Sequence, residues 1–357
     1  MRPSDAIAHV RHLAFLGLPS EVVIPRMLEA LHALIGSRIN GFIWSDARGL
    51  PTNIYSPVIY MAAREVMVGG YHLMQRPGEL AIEDLINGPR VIDNIAPWRD
   101  SGRLERTVLY NEVFVPSEAE QMLDLVLRDR DGPKGIVFLT RGAREKSFGL
   151  KDRRILLGLA PAFLRALRVG APTSADPDAD EPAEARFLED GGSESMIVCD
   201  LAGEVLEMSA DAHVMLDCAN HGLIAPGQAS TDLPGLPAAV KRALAAGTLT
   251  NTPVTVRSIW GHFRFRAFPT AMASGGGLVV LIRQLETLSL RVIDRLRDTP
   301  LSPRQREVAL LVATGHGPDA VAARLGVSRS TCRDHLENVH ARLGVGSRAE
   351  LVAALVG

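Results

Sequence analysis

The sequence predicts a multidomain chain with two α+β domains followed by an all-α domain of four helices. Three observations lead to this prediction. The chain has 357 residues, which is longer than an ordinary single domain. Residues 171–186 combine proline, alanine and five acids without hydrophobic periodicity, which is typical of a solvated linker. After residue 301, helix-start and helix-stop signals recur four times.

The composition excludes several classes of protein. With 46% hydrophobic and 22% charged residues, the chain can bury substantial cores, so wholesale disorder and collagen-like repeats are excluded. No apolar run reaches the length of a membrane span, and His9, Arg11 and His12 interrupt the first segment, which argues against a signal peptide. The three cysteines are far apart, which argues against a disulfide framework or a structural zinc site. We therefore expect a cytoplasmic protein without membrane contact.

The first block, residues 13–170, mixes helical and extended patterns. Hydrophobic spacing predicts helices at 20–36 and 150–168, and short β-branched and aromatic runs predict strands at 39–46, 106–116 and 134–141. An antiparallel sheet with flanking helices accommodates this order of elements.

The second block, residues 187–283, opens with a strand, a polar turn at 200–203, another strand and a helix that begins after Ser209. Alternating apolar residues predict the closing strands. We expect a five-stranded sheet with helices on one face.

Residues 284–298 predict an amphipathic connecting helix. Leu285, Leu288 and Val292 fall at heptad-like spacing, which would suit the seam of a homodimer. The alternative is a helix that packs on the predicted sheet of the second block, because two heptads alone are marginal.

The C-terminal block, residues 299–357, carries the clearest local signals. Ser302 with Gln305 and Ser347 with Glu350 have capping-box spacing, and Ser328 begins a helix shortly after Gly326. This is a helix-turn-helix pattern. Apolar residues at helical spacing predict one shared core made of Val308, Leu311, Ala322, Leu325, Cys332, Leu336, Val339, Leu343, Leu351 and Leu355.

Over Leu301–Leu351 the sequence resembles the LuxR family of transcription regulators, also called the GerE-type helix-turn-helix. The matching positions are Leu301, Ser302, Arg304, Arg306, Glu307, Val308, Gly315, Ala322, Leu325, Ser328, Thr331, His335, Asn338, Arg342, Leu343, Gly344, Val345 and Arg348. Two departures stand out: Pro318, Asp319 and Ala320 replace the usual start of the second helix, and Cys332 replaces an aliphatic residue.

The resemblance implies DNA binding, and helical geometry then suggests individual roles. Burying Cys332, Leu336 and Val339 turns Arg333, Asp334 and Glu337 outward, where they would face base edges. A second group suits phosphates or bracing of the fold: Ser328, Arg329, Thr331, Asn338, Arg342 and Arg348.

The two preceding blocks resemble sensor domains, a GAF domain over 13–170 and a PAS domain over 187–283. The resemblances imply an unknown small-molecule effector. The first block contains no cysteine, which excludes a thioether-linked cofactor there. The predicted ligand residues of the first block are aromatic or polar groups near loops, namely Trp44, Tyr55, Tyr60, Tyr71, His72, Trp98 and Tyr110.

The sequence thus favours a ligand-responsive, homodimeric transcription regulator that binds double-stranded DNA. A second hypothesis keeps the fold but gives the helix-turn-helix a protein partner instead of DNA. A third is an enzyme that uses a flavin or haem in the second block. No catalytic or metal-ligating arrangement rises above chance spacing, so we predict neither catalytic nor metal-binding residues.

Overall fold

A computed structural model of the chain describes residues 3–56, 78–168, 187–188, 191–220, 235–272 and 275–356. In chain order, these residues form two units that contain a β-sheet and one unit of helices alone. The predicted mixture of α+β and all-α architecture is therefore confirmed. The predicted linker, 171–186, lies outside the described residues.

The first unit is built on a four-stranded antiparallel sheet in the order β2-β1-β4-β3. The strands are β1 (Ile39–Ser45), β2 (Pro51–Tyr55), β3 (Gln121–Asp129) and β4 (Gly132–Arg141). The helices are α1 (Pro3–Leu13), α2 (Ser20–Leu34), α3 (Ile82–Ile86), α4 (Ala96–Asp100) and α5 (Leu150–Ala166). The helices predicted at 20–36 and 150–168 and the strands predicted at 39–46 and 134–141 are confirmed.

The strand predicted at 106–116 is wrong. The structure has a 3-10 turn at Leu104–Arg106 and a π-helix at Leu109–Phe114 in its place. The run is rich in β-branched and aromatic residues, yet its buried members Leu109, Val113 and Phe114 repeat at four and five residues, which is a helical spacing. Burial of that stripe overrides the intrinsic preference for strand.

Alternate residues of β1 point to opposite faces of the first sheet and enter separate cores. Phe42 and Trp44 join the core beneath α2 and α5, whereas Ile43 joins a second core with the short helical segments between β2 and β3. The first sheet is therefore covered on both faces.

The second unit has the predicted five-stranded sheet, in the order β7-β6-β10-β9-β8. Its strands are β6 (Glu194–Cys199), β7 (Val205–Met208), β8 (Val254–Ser258), β9 (Gly261–Met272) and β10 (Gly275–Gln284). Its helices are α6 (Ala210–Ala219) and α7 (Ala238–Ala245), and β5 (Phe187–Leu188) pairs with β11 (Glu286–Thr287) beside the sheet. Ser209 caps α6 as predicted, because its hydroxyl accepts a hydrogen bond from the Ala212 N–H at 3.2 Å.

The third unit consists of the four predicted helices, α9 (Pro303–Ala313), α10 (Pro318–Leu325), α11 (Arg329–Leu343) and α12 (Arg348–Val356). The Ser302 hydroxyl accepts from the Gln305 N–H, and the Gln305 side chain accepts from the Ser302 N–H at 2.9 Å, which completes the capping box. Gly326 and Gly344 end α10 and α11 in the left-handed region, with φ of 64° and 68°.

The connecting helix α8 (Leu288–Arg297) is buried within its own chain. Val292 has no exposed surface and Leu296 is nearly as buried, because α1, α9 and α12 cover them. Leu285 precedes the helix. The predicted dimer seam through Leu285, Leu288 and Val292 is therefore wrong. The helix packs mainly against α1, α9 and α12 of its own chain, and not mainly on the second sheet as the alternative had it.

Helix α1, which precedes the predicted domain start at residue 13, joins the first unit to the third. The His9 Nε2 atom lies 3.6 Å from Asp294 Oδ1 on α8, and the His12 Nε2 atom lies 3.7 Å from Glu307 Oε1 on α9. Burial, reinforced by Arg297, lowers the pKa of His9 to about 4. The contact with Asp294 is therefore made by a neutral imidazole at neutral pH.

A buried carboxylate fastens the segment before α4 to the first sheet. Asp124 on β3 has no exposed surface, and its oxygens accept hydrogen bonds from the Asn94 and Ile95 N–H groups at 3.0 and 3.1 Å. Burial raises the pKa of Asp124 to about 6 despite these hydrogen bonds.

Because the folded-state pKa of Asp124 exceeds the unfolded value, its ionisation opposes folding above pH 6, and this cost disappears as the pH falls toward 4. We expect the free energy of unfolding of the wild type, relative to Asp124→Asn, to rise by about 2 kcal/mol between pH 7 and pH 4.5. Urea unfolding of both proteins at the two pH values measures this difference. A constant difference would contradict the assignment.

Candidate nucleic-acid interface

The N-terminus of α11 presents a cluster of exposed hydroxyl groups. The Ser328 hydroxyl accepts from the Thr331 N–H at 3.1 Å and lies 2.8 Å from both the Ser330 and the Thr331 hydroxyl oxygens. Ser328 therefore caps the helix, while the exposed hydroxyls sit at the positive end of the helix dipole. Hydroxyls and N–H groups at a helix N-terminus are well suited to a phosphate group.

The sides of α11 differ in burial as the sequence predicts. Cys332 and Val339 are almost completely buried and Leu336 is half-buried, whereas Arg333, Asp334 and Glu337 are exposed. Arg333 and Glu337 are one helical turn apart, so they share a face. This face combines one hydrogen-bond-donating cation with two carboxylate acceptors, a set that can read base edges in a major groove.

The residues predicted to contact phosphates make different hydrogen bonds and ion pairs within the chain. Arg329 pairs with Asp319 at 2.9 Å, and both side chains are mostly exposed, so water and salt screen this ion pair. The Asn338 amide donates to the Asp334 carbonyl at 2.7 Å, within α11 itself. Arg342 donates to the Pro300 carbonyl at 2.9 Å and so ties the end of α11 to the segment before α9.

Arg348 begins α12 beside the turn at Gly315, and its side chain is exposed. Arg329 and Arg348 thus remain available to a phosphate. Asn338 and Arg342 each donate a hydrogen bond to a main-chain carbonyl and so brace the fold, and the phosphate contacts stay a prediction.

Two residues of this surface were not predicted from the sequence. Ser330 belongs to the hydroxyl cluster, and the run of hydroxyl residues at 328–331 is the signal that points to it. Arg324 is exposed at the end of α10 and donates to the His316 Nε2 atom at 2.9 Å. That contact depends on how α10 packs against the turn at His316, so the sequence alone did not predict it.

Burial and hydrogen bonding shift the pKa values of two side chains in the third unit. Burial raises the pKa of the Cys332 thiol, so this side chain behaves as an apolar core group. The hydrogen bonds donated by the Gly346 N–H and the Ser347 hydroxyl lower the pKa of Glu350, which helps to hold the start of α12.

The four predicted ligand residues that the structure describes lie on two opposite faces of the first sheet. Trp44 and Tyr55 contact Trp260 of the second unit, with ring centroids 5.5 and 5.7 Å apart. Trp98 and Tyr110 pack with the core on the opposite face of the first sheet. The alternation of side chains along strands explains this separation. The other predicted residues, Tyr60, Tyr71 and His72, lie outside the described residues.

The layer that contains Trp98 and Tyr110 has unusual backbone geometry. Tyr110 lies in the π-helix, and Asp93 and Glu118 adopt positive φ values of 59° and 50°. Arg153, which lies on α5, forms an ion pair with Asp93. Such local strain is enriched at functional sites.

Two classes of site have no match in the part of the chain that the structure describes. No group of three or more histidine, cysteine, aspartate or glutamate side chains is placed to hold a metal ion. Likewise, none of the described helices is long and apolar enough to cross a bilayer.

Comparison with known proteins identifies the class of the third unit. Residues 299–355 match the family model described as bacterial regulatory proteins, luxR family. The helix-turn-helix predicted from the capping signals is thus of the LuxR type.

Two curated relatives match this chain over short stretches. A probable transcriptional regulatory protein, SgaR of Hyphomicrobium methylovorum, is 42% identical over 64 residues, which is 17% of this chain and 30% of SgaR. The transcriptional regulator MalT of Serratia proteamaculans is 34% identical over 62 residues, 17% of this chain and 7% of MalT. The chain thus spans less than a third of either relative.

Among solved structures, a VqmA–ligand–DNA complex from Vibrio cholerae covers 46% of this chain and 82% of its own, at 14% identity and a TM-score of 0.22. A TM-score that low carries no argument about the fold. The GAF and PAS assignments of the first two units therefore remain predictions.

We expect Arg342→Ala to destabilise the third unit by about 1 to 2 kcal/mol, because the hydrogen bond from the guanidinium to the Pro300 carbonyl is lost. Thermal unfolding of the full chain measures the effect, with Arg333→Ala as the control, since Arg333 is exposed on the same helix. Equal melting temperatures for the two variants would show that Arg342 does not brace the fold.

Proposed function

We propose that the chain is a cytoplasmic transcription regulator that binds double-stranded DNA through α11. The observation that carries this proposal is the exposed face of α11, with Arg333, Asp334 and Glu337 beside a hydroxyl-rich helix N-terminus. The match of residues 299–355 to the luxR family and the similarity to the transcriptional regulators SgaR and MalT support it.

The way the third unit docks also supports DNA binding. Within the described part of the chain, its main contacts with the rest of the molecule are made by α9 and α12, which pack against α8, and by α9, which also packs against α1. Arg333, Asp334 and Glu337 stay exposed in this arrangement. The third unit would therefore not have to undock before α11 enters a major groove.

The alternative in which the helix-turn-helix binds a protein rests on the two acids of the same face. Asp334 and Glu337 outnumber Arg333, so the centre of the face is not basic. However, seven arginines against five acids over residues 301–357 leave this unit with a net charge of +2. Arginines at the rim with acids at the centre fit the phosphates and the cytosine amino groups of DNA better than an acidic protein surface.

We expect Arg333→Ala to weaken binding to the preferred duplex by about 1 to 3 kcal/mol and to relax its sequence preference, because a bidentate contact with guanine is lost. Fluorescence anisotropy with the preferred duplex and a scrambled duplex measures both effects. The wild-type affinity should also fall steeply with added salt.

The matched control is Arg154→Ala, which removes an exposed arginine from α5, in the first unit. It should leave both affinities unchanged. If Arg333→Ala keeps the wild-type ratio between the two duplexes, Arg333 does not read a base. If the wild type shows no salt-dependent affinity for any duplex, the protein-binding alternative replaces DNA binding.

We further propose that a small molecule, bound without a covalent bond, regulates the chain from the face of the first sheet that carries Trp98 and Tyr110. The supporting observation is the strained geometry of this layer, with the π-helix at Leu109–Phe114 and the positive φ of Asp93. A separate apolar core beneath these segments offers the apolar surroundings that ligand sites commonly have.

The purified full-length protein should therefore carry a small molecule that native mass spectrometry detects as added mass. Ile136→Trp should abolish the added mass, because Ile136 lies in the core on this face of the sheet and a larger ring would displace the side chains packed around it. Trp44→Phe, on the opposite face, is the control and should retain it. Added mass that survives Ile136→Trp, or a wild type without any, would contradict this site.

A further inference from the structure

The outer face of the second sheet exposes a contiguous set of large apolar side chains. The strand registers place Val198, Val279 and Phe268 side by side on β6, β10 and β9, with Met196 and Leu281 in the next row on the same face. Met196 is 50% exposed and Phe268 is 41% exposed, and the other three are half-buried. Contiguous exposed apolar surface of this kind marks an interaction site.

Opposite charges flank this apolar face on its two sides. Glu207 on β7 is the register partner of Val198 and is exposed. Arg266 on β9 is the register partner of Leu281, is exposed, and lies with its guanidinium carbon 5.4 Å from the centre of the Phe268 ring. Strand β10 runs between the acidic flank and the basic flank.

We infer that this face pairs with the same face of a second copy of the chain. A two-fold axis that runs along β10 brings the β7 side of each copy over the β9 side of the other. Glu207 of one copy then faces the Arg266 flank of its partner, and the contact occurs twice. Val279 and Leu281 lie near the axis, where the two copies bury them against each other.

The arrangement is self-complementary in both charge and apolar surface. Face-to-face packing of two twisted sheets about 10 Å apart, with interdigitating side chains, is a stable arrangement of β-structure. Because acid and base lie on opposite sides of one central strand, a two-fold related copy matches both flanks at once. A second copy is therefore the occupant that this surface fits best.

The role of the dimer in DNA binding rests on the proposed function. The inference that the surface forms a dimer does not depend on that function. One helix-turn-helix contacts few base pairs, and regulators of this kind reach specificity by placing two units on two half-sites. Helix α8 does not supply the dimer contact, because its own chain covers Val292 and Leu296. The outer face of the second sheet supplies it instead.

Sedimentation velocity on the full-length chain without DNA tests the inference. The wild type should be dimeric at micromolar concentration, and Leu281→Glu should weaken self-association at least tenfold by bringing two carboxylates together at the axis. The control Leu150→Glu changes a leucine of α5 that is 72% exposed, and it should leave the dimer intact. Circular dichroism should show equal folding of all three proteins.

A charge exchange separates this interface from any other dimer contact. Glu207→Arg and Arg266→Glu should each weaken the dimer about fivefold or more, because each places like charges opposite one another. The double variant should recover most of the wild-type association, since the pairs are restored in reverse.

A monomeric wild type, a dimer that Leu281→Glu leaves unchanged, or a double variant no stronger than the single ones would overturn the inference. DNA binding is measured separately on the same proteins. A dimer that binds no duplex would contradict only the proposed function, and a monomer that binds duplex DNA would contradict only the dimer.

Discussion

The burial of one short helix, α8, holds the arrangement of the chain together. Its apolar residues Leu290, Val292, Ile293 and Leu296 are covered by helices from both ends of the sequence, α1 on one side and α9 with α12 on the other. Arg291 adds a hydrogen bond to the Val356 carbonyl at 3.4 Å. Exposing such a surface would cost several kcal/mol, since each large apolar side chain contributes about 1.5 to 3 kcal/mol on burial.

This junction brings the first unit into direct contact with the third unit. Helix α1 packs against α2 and α5 of the first unit and also touches α8 and α9. The His12 contact with Glu307 bypasses the second unit altogether. Burial opposes ionisation of Glu307, yet hydrogen bonds from His12 and Arg304 outweigh it and lower the carboxyl pKa. A ligand in the first unit can bias this junction only by binding one arrangement of α1 more tightly than another.

Local chemistry explains which features the sequence could predict. The four helices of the third unit follow from caps at Ser302, Ser328 and Ser347 and from left-handed glycines, because each signal acts within a few residues. The exposed positions of Arg333, Asp334 and Glu337 follow from helical periodicity once the buried residues are known. The strands of the second unit could also be predicted from the sequence, because buried and polar residues alternate along them.

The features that the sequence did not predict depend on distant partners. The role of α1 requires α8 and α9 from the far end of the chain, and the pairing of Trp44 with Trp260 joins two units. The helical state of Leu109–Phe114 depends on a core that its own residues do not reveal. The prediction of a dimer seam along α8 was wrong for the same reason. Heptad spacing shows that a helix has an apolar face, but not whether a partner chain or the chain's own helices cover it.

The most direct test of the account is a selection of bound duplexes from a random library by the full-length protein. Two short motifs in inverted orientation should be enriched, with centres about one helical turn, roughly 10 base pairs, apart, because two copies of α11 would enter successive major grooves on one side of the duplex. If no sequence is enriched over the starting library, the third unit does not read DNA and the central claim is contradicted.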